Sequence, residues 1–199
     1  MAKVKLTKNE LRNQKDQLKR FQRYLPTLQL KKQQLQMVIR QIEAQEQQKR
    51  EERDELKHRI DAWIDVFGED LGLEEMVTVR NVSTDTGNIA GVDIPVFESI
   101  EYEDIEWDLF EMPVWVDAAI GRVKELVAAD AELEILQEQH KLIAEELRIT
   151  TQRVNLFEKV KIPETKENIR RIRIYLGDQQ TAEVVRGKIA KKKIEAKGE

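Results

Sequence analysis

Apolar residues three and four positions apart run for many turns along two stretches of the chain. In the first, one column reads Leu11, Leu18, Leu25, Lys32, Ile39, Glu46, Arg53, Ile60 and Phe67. Its companion reads Gln14, Phe21, Leu28, Leu35, Ile42, Lys49, Leu56 and Trp63. Twelve of these seventeen positions are apolar, which predicts one long helix lying along another rather than a helix on a broad core. In the second stretch, from about Val116 to Ile162, the columns are Leu126, Leu133, His140, Leu147, Val154 and Ala129, Leu136, Ile143, Thr150, Phe157. Two such stripes in one chain predict an antiparallel pair.

The ends of the elements are also readable. Thr7 followed by Glu10 has the spacing of a capping box, so the first helix is expected to begin there and run about 60 residues, some 90 Å at 1.5 Å per residue. Pro26 lies inside it and predicts a kink. Gln45 to Glu55 holds no apolar residue, so packing is expected to be loosest there. Gly68 and Gly72 close the helix.

The period then changes. Val77 and Val79 alternate with polar residues, a turn cluster spans Ser83 to Gly87, and Val92, Ile94 and Val96 alternate again, which predicts a hairpin. A third short strand is expected around Ile100 and Tyr102, with Pro113 in the first turn of the next helix. At Ile162-Pro163 the second seam is interrupted and Ile169, Ile172 and Leu176 continue it out of register, predicting another kink. Val184, Val185, Ile189 and Ile194 extend a weaker pattern into a tail expected to be helical only when held. The expected fold is mainly α: a long antiparallel two-helix coiled coil with a small β-hairpin-containing insert. Its parts are 1–67, 68–112 and 113–199, forming one elongated unit.

Charge adds an axis to this picture. Residues 1–40 hold eleven Lys or Arg against Glu10 and Asp16, and 184–199 are also basic. Between Asn81 and Gly121 there is no Lys or Arg, while Glu98, Glu101, Glu103, Asp104, Glu106, Asp108 and Glu111 cluster. A hairpin of two long helices would be basic at one tip and acidic at the other.

Catalytic chemistry is hard to assemble from this sequence. With no cysteine there is no thiolate nucleophile, disulfide or cysteine zinc site. No phosphate-cradling glycine motif occurs, and His58 and His140 lack a carboxylate framework of metal spacing. His140 reads as a packed, hydrogen-bonded seam residue. Trp63, Trp107 and Trp115 read as packing between helices and insert. The start MAKVKLTKNE does not read as a signal peptide, and no apolar run approaches the length of a membrane span. The basic residues alternate with Gln and Leu and lack an aromatic platform, which favours a protein contact over nucleic acid.

One stretch carries a specific resemblance. Thr150-Thr151-Gln152-Arg153-Val154-Asn155-Leu156-Phe157-Glu158-Lys159-Val160-Lys161-Ile162-Pro163 resembles the T-T-x-R-V-N-x-x-E-x-V-x-I-P signature of the D subunit of the A-type and V-type rotary ATPases. The similarity extends through Asn168 to Ile172 and Leu176, and to Lys192-Lys193-Ile194-Glu195-Ala196. Thr7 to Leu11, Lys15, Leu18 and Leu28 to Leu35 resemble that family's opening helix. Pro26, Lys31-Lys32-Gln33-Gln34 and Gly177-Asp178-Gln179-Gln180-Thr181 depart from its pattern.

The resemblance implies a non-catalytic central-stalk rotor shaft that couples ATP hydrolysis or synthesis in a head of catalytic A and regulatory B subunits to proton or sodium transport. Implied partners are the A, B and F subunits and the funnel-like C/d subunit over the membrane rotor. The complex would use MgATP while this chain binds no cofactor, metal or nucleotide, and would sit in the cytoplasm, peripheral to the membrane. Thr150, Thr151, Arg153, Val154, Asn155, Glu158, Ile162 and Pro163 carry the signature; Arg12, Lys19, Arg20, Arg23, Lys192 and Lys193 are the candidate head-facing cations. Two other classes share some of these features: a prefoldin-like coiled-coil chaperone and a nucleic-acid-binding coiled-coil arm.

Overall fold

A computed structural model describes residues 4–67, 76–103, 105, 113 and 115–195, with the backbone alone at 63–67. The elements are α1 (Lys8–Phe67), β1 (Val79–Ile89), β2 (Val92–Tyr102), α2 (Val116–Asn155), a π-helical turn (Leu156–Lys161) and α3 (Ile162–Glu195). The fold is an antiparallel two-helix coiled coil with a β-hairpin insert. The chain divides into two compact units, one of residues 1–32 with 149–199 and one of residues 33–148.

The heptad columns of α1 are the positions that bury. From Leu11 to Ile60, every residue of both columns is buried or half-buried, including the polar Lys32, Glu46, Lys49 and Arg53. The helix starts as its sequence dictates. The Glu10 backbone N–H donates to Thr7 Oγ1 at 3.3 Å. The Glu10 carboxylate, which would close a full capping box, instead accepts from Gln14 Nε2 at 2.8 Å. Pro26 sits inside α1 without ending it. Its exposed position lets the Gln22 carbonyl, which loses its helical donor, face water.

In the unit of residues 33–148, Leu35, Ile42, Ile94 and Ile143 form one buried cluster, ringed by Val38, Ile39, Ile89, Val92, Leu142 and Leu147. Two of these four come from α1, one from β2 and one from α2. Burying each contributes about 1.5–3 kcal/mol. Polar pairs continue the seam where apolar residues stop. His140 Nε2 lies 3.6 Å from Glu43, Lys49 Nζ 2.8 Å from Glu132, and Arg53 Nη1 3.5 Å from Asp130. Partner numbers fall as α1 numbers rise, so α1 and α2 run antiparallel. Within the polar stretch of α1, Arg50 pairs with Glu46, Gln47 with Glu51 and Gln48 with Glu52. Arg53 Nε also lies 2.9 Å from Asp54 Oδ1, although it makes no aligned hydrogen bond there.

The insert differs from expectation in its turn. Ser83 to Gly87 lies within β1, and the chain reverses instead at Ala90 and Gly91, both with positive φ (53° and 79°). Two such residues between strands make the turn whose twist matches a hairpin. Asn88 secures it: its Oδ1 accepts from the Gly91 N–H at 3.1 Å and its Nδ2 donates to Asp93 at 2.6 Å. With the turn there, Ile100 and Tyr102 belong to β2, opposite Val82 and Val79, and among the described residues there are two strands. Gln139 Nε2 donates to the Pro95 carbonyl at 2.6 Å and Tyr102 Oη to the Lys124 carbonyl at 2.6 Å, fixing β2 on α2. Pro113 lies just ahead of α2, its carbonyl accepting from the Val116 N–H.

In the unit of residues 1–32 with 149–199, Gln14 meets Asn168 at 3.4 Å and the Phe21 and Phe157 rings lie 5.3 Å apart, again antiparallel. Thr150, Val154, Thr165, Ile169 and Ile172 are buried. The expected interruption of this seam takes the form of the π-helical turn. Up to Phe157 the columns repeat every seven residues. Both then lengthen by one, to Ile162 and Thr165, before Ile169, Ile172 and Leu176 resume the repeat. One extra residue is what a π turn absorbs, and the Ile162 N–H bonds to the Phe157 carbonyl five residues back. Helix α3 then continues to Glu195, although every residue from Gly177 to Glu195 is exposed, Val184, Val185, Ile189 and Ile194 included.

Trp63, Trp107, Gly68, Gly72 and the acidic residues Asp104, Glu106, Asp108 and Glu111 lie outside the described side chains. Trp115 is half-buried, and Glu98, Glu101 and Glu103 are exposed.

Candidate partner-binding surface

The residues that carry the signature all fall in the unit that joins the two ends of the chain, and they divide by role. Thr150 and Val154 are buried and Thr151 and Ile162 half-buried, so they belong to the seam. Arg153, Asn155, Glu158 and Pro163 are exposed. Between them the π turn buries no residue of its own, and its Leu156 and Val160 stand about half exposed (45% and 48%). Thr165 supports the downstream turn by donating its hydroxyl to the Lys161 carbonyl at 2.6 Å.

The candidate cations Arg12, Lys19, Arg20, Arg23, Lys192 and Lys193 are likewise in this unit and exposed, but they do not form one cluster. Lys19 and Arg20 line different grooves. One groove, about 650 Å³, is lined by Lys15, Asp16, Leu18, Lys19 and Gln22 of α1 and by Lys166, Ile169, Arg170, Arg173 and Ile174 of α3. The second, about 660 Å³, is lined by Lys5, Glu10, Gln17, Arg20, Phe21, Lys161, Glu164 and Asn168 among others. At 100° per residue the two sets of α1 positions lie on opposite flanks of the helix.

Their electrostatics differ. The first groove has five cations against one acid, and Lys15, Lys19, Lys166 and Arg173 make no ion pair among the described residues. Arg170 alone is engaged, with Arg171, by Glu167, whose carboxyl the two guanidiniums hold below its ordinary value. The second groove has three cations against two acids, with Lys161 4.0 Å from Glu164. Of this basic set, sequence patterning picks out Lys19 and misses Lys15, Lys166, Arg170 and Arg173. The signal is present, since 15 and 19, and 166, 170 and 173, have the spacing of one helix face.

Exposed grooves between paired helices suit the docking of another protein better than they suit catalysis. Among the described residues no group of three or more His, Asp or Glu is placed to hold a metal ion, and no helix is long and apolar enough to cross a membrane.

Comparison with known proteins now bears on the whole chain. A family model for the ATP synthase D subunit matches residues 10–192. The V-type ATP synthase D subunit of Borreliella burgdorferi is 57% identical over 191 residues, spanning 96% of this chain and 95% of the relative. Proteins of the same name from Chlamydia pneumoniae and Chlamydia muridarum are 36% and 35% identical over 197 residues, each spanning 98% of this chain. The paired heptad helices, the signature across the π turn and this end-to-end similarity agree: the chain belongs to the ATP synthase D subunit family and is a subunit of a rotary ATPase.

Proposed function

We propose that this protein is the non-catalytic central-stalk shaft of a V/A-type ATPase or ATP synthase. It couples ATP turnover in a head of catalytic A and regulatory B subunits to proton or sodium movement through the membrane rotor. The observation that carries this reading is the seam. In each unit α1 packs antiparallel on a later helix through buried heptad positions, so a twist applied to the pair strains many packed side chains together and is transmitted rather than absorbed by one joint. The uneven charge of the two grooves supports the second half of the mechanism. As an asymmetric shaft turns, each catalytic interface meets a different face and is biased toward a different state, which links rotation to nucleotide affinity.

On this reading MgATP is bound by the head and this chain holds no cofactor. The F subunit and the funnel-like C/d subunit are its other neighbours, and the chain is peripheral to the membrane on the cytoplasmic side. Arg12, Lys19, Arg20, Arg23, Lys192 and Lys193 face the head.

A tagged pull-down from gently solubilised cells tests the assignment. Stoichiometric A, B and F subunits with MgATP hydrolysis in the eluate are expected; recovery of only unfolded clients or nucleic acid would sink it. Charge reversal at Arg12, Arg20 and Arg23, all exposed, is expected to lower ATP-driven ion pumping while leaving helicity unchanged. Undiminished pumping in such a variant would remove these residues from the contact.

A further inference from the structure

We propose that Pro26 and the π turn form one paired hinge, at which the unit of residues 1–32 with 149–199 bends while both of its helices run through unbroken. The bend is a property of the chain alone; only its use in a rotating shaft rests on the reading given above.

Three observations meet at one level of the helix pair. The hydrogen-bond ladder of each helix is open there. Pro26 has no backbone N–H, so the Gln22 carbonyl loses its helical donor, and Pro163, at the exit of the π turn, removes the donor that an α-helix would give the Lys159 carbonyl. Gln22 directly follows Phe21, and Phe157 lies inside the π turn. The two rings are 5.3 Å apart, so the openings face each other across the seam. Prolines and π turns are also where long helices kink.

Side-chain packing is thinnest at the same level. In α1 no residue from 15 to 32 is buried, Leu18, Phe21, Leu25 and Leu28 being half-buried, and in the opposite helix none from 155 to 164 is buried. Fully buried positions resume beyond, at Gln14, Thr165, Ile169 and Ile172 in one direction and at Thr150 and Val154 in the other. The contact at the level itself is a tilted ring pair, with an interplanar angle of 42°. Such pairs keep their attraction over centroid separations of about 4.5–7 Å, whereas interlocked aliphatic side chains lose contact when they slide.

Bending a helix lengthens the hydrogen bonds on one side, and here the bonds that would resist are already missing from both helices. Twisting the pair must instead shear the buried seam on either side of the hinge. The pair therefore yields to bending and still carries rotation. In a shaft, that combination lets the end beyond the hinge tilt off the axis while turning with it.

The test uses the full-length chain. Pro26→Ala restores the ladder of α1, and deletion of Val160 removes the extra residue of the π turn. Amide exchange is expected to be faster at Phe21–Leu30 and Leu156–Glu164 than in the turns around Gln14, Thr150 and Ile172. If the two openings act as one hinge, curing one steadies the other: Pro26→Ala slows exchange at Leu156–Glu164 by about threefold or more, and the deletion does the same at Phe21–Leu30. Arg12, Pro26 and Gln33 are exposed on one face of α1, and the chain has no cysteine. Nitroxide labels on Arg12→Cys and Gln33→Cys, about 32 Å apart along the helix, therefore report bending on the Pro26 side. Their distance distribution is expected to narrow in either variant.

Slowing confined to the helix that carries each change would overturn the paired hinge and leave two separate defects. An unaltered distance distribution would overturn the bend. Should the deletion variant lose helicity by circular dichroism, Pro26→Ala alone decides, through exchange on the opposite helix. No arm of the test involves a partner, so its failure leaves the shaft assignment standing.

Discussion

Lys49 Nζ lies 2.8 Å from Glu132 Oε2, joining α1 to α2 at a heptad position that Leu35, Ile42 and Leu56 fill on neighbouring repeats. Both side chains are about one-third exposed, so the pair is expected to contribute modestly. A double-mutant cycle with Lys49→Met and Glu132→Leu is predicted to give a coupling energy of about 0.5–1 kcal/mol in urea melts, shrinking in high salt. A coupling indistinguishable from zero at low salt would mean the contact is incidental.

Alkaline pH should weaken the same unit through two groups. Hydrogen bonds that the Lys49 ammonium donates to Glu132 and then to Glu52 raise its pKa above the ordinary value, and burial raises that of Tyr102, whose phenol donates to the Lys124 carbonyl. In both cases the folded state holds its proton longer than the unfolded chain. Their contribution is therefore complete below the unfolded pKa values, about pH 10, and is lost as pH rises through the folded ones. Unfolding free energy measured from about pH 8 to 11.5 is predicted to fall above about pH 10, and less steeply in Tyr102→Phe. An identical slope in that variant would remove Tyr102 as a contributor.

The π turn makes an unusual prediction about deletions. Removing Val160, exposed within it, would restore an uninterrupted seven-residue repeat from Val154 to Ile162, Ile169 and Leu176. That deletion is predicted to change Tm by less than about 5 °C, whereas deleting the equally exposed Glu145 of α2 turns Leu147, Thr150 and Val154 off the seam and should lower Tm by more than about 10 °C. Comparable losses in the two would show that the extra residue is not what the π turn accommodates.

Gly87 is held by space rather than by backbone conformation. A Cβ there would meet Val96 Cγ2 at 2.9 Å, with Ile94 behind it, so Gly87→Ala is predicted to destabilise the hairpin by about 1–2 kcal/mol. Gly91 is the converse, with φ of +79° and nothing within 4 Å, so Gly91→Ala is strained only through its backbone, by about 1 kcal/mol. Amide exchange across Val79–Tyr102 reads both; faster exchange at every strand position in Gly87→Ala is expected.

The helices are legible in the sequence because a seam has one period and the residues that obey it bury. Even Lys32, Glu46, Lys49 and Arg53 are placed correctly by position against their chemistry. The hairpin turn is not legible, because Ser83 to Gly87 has the composition of a turn, while Ala90, a poor match to positive φ, is carried there by Asn88 and Gly91 on either side. The basic groove is legible only in halves. Cations on one face of α1 and one face of α3 are visible in sequence, but their meeting depends on the axial alignment of the two helices, which heptads do not specify.

That alignment is where the polar stretch of α1 has its effect. A seam of leucines alone is degenerate: one helix can slide along the other by a whole repeat and pack nearly as well. Here a slide of seven residues would set Glu43 against Leu133 or Leu147 instead of His140, and Arg53 against Val123 or Gln137 instead of Asp130. Each mismatch strands a charge against a neutral or apolar neighbour. The segment that contributes least to the core thereby selects a single alignment from the several its apolar neighbours would tolerate.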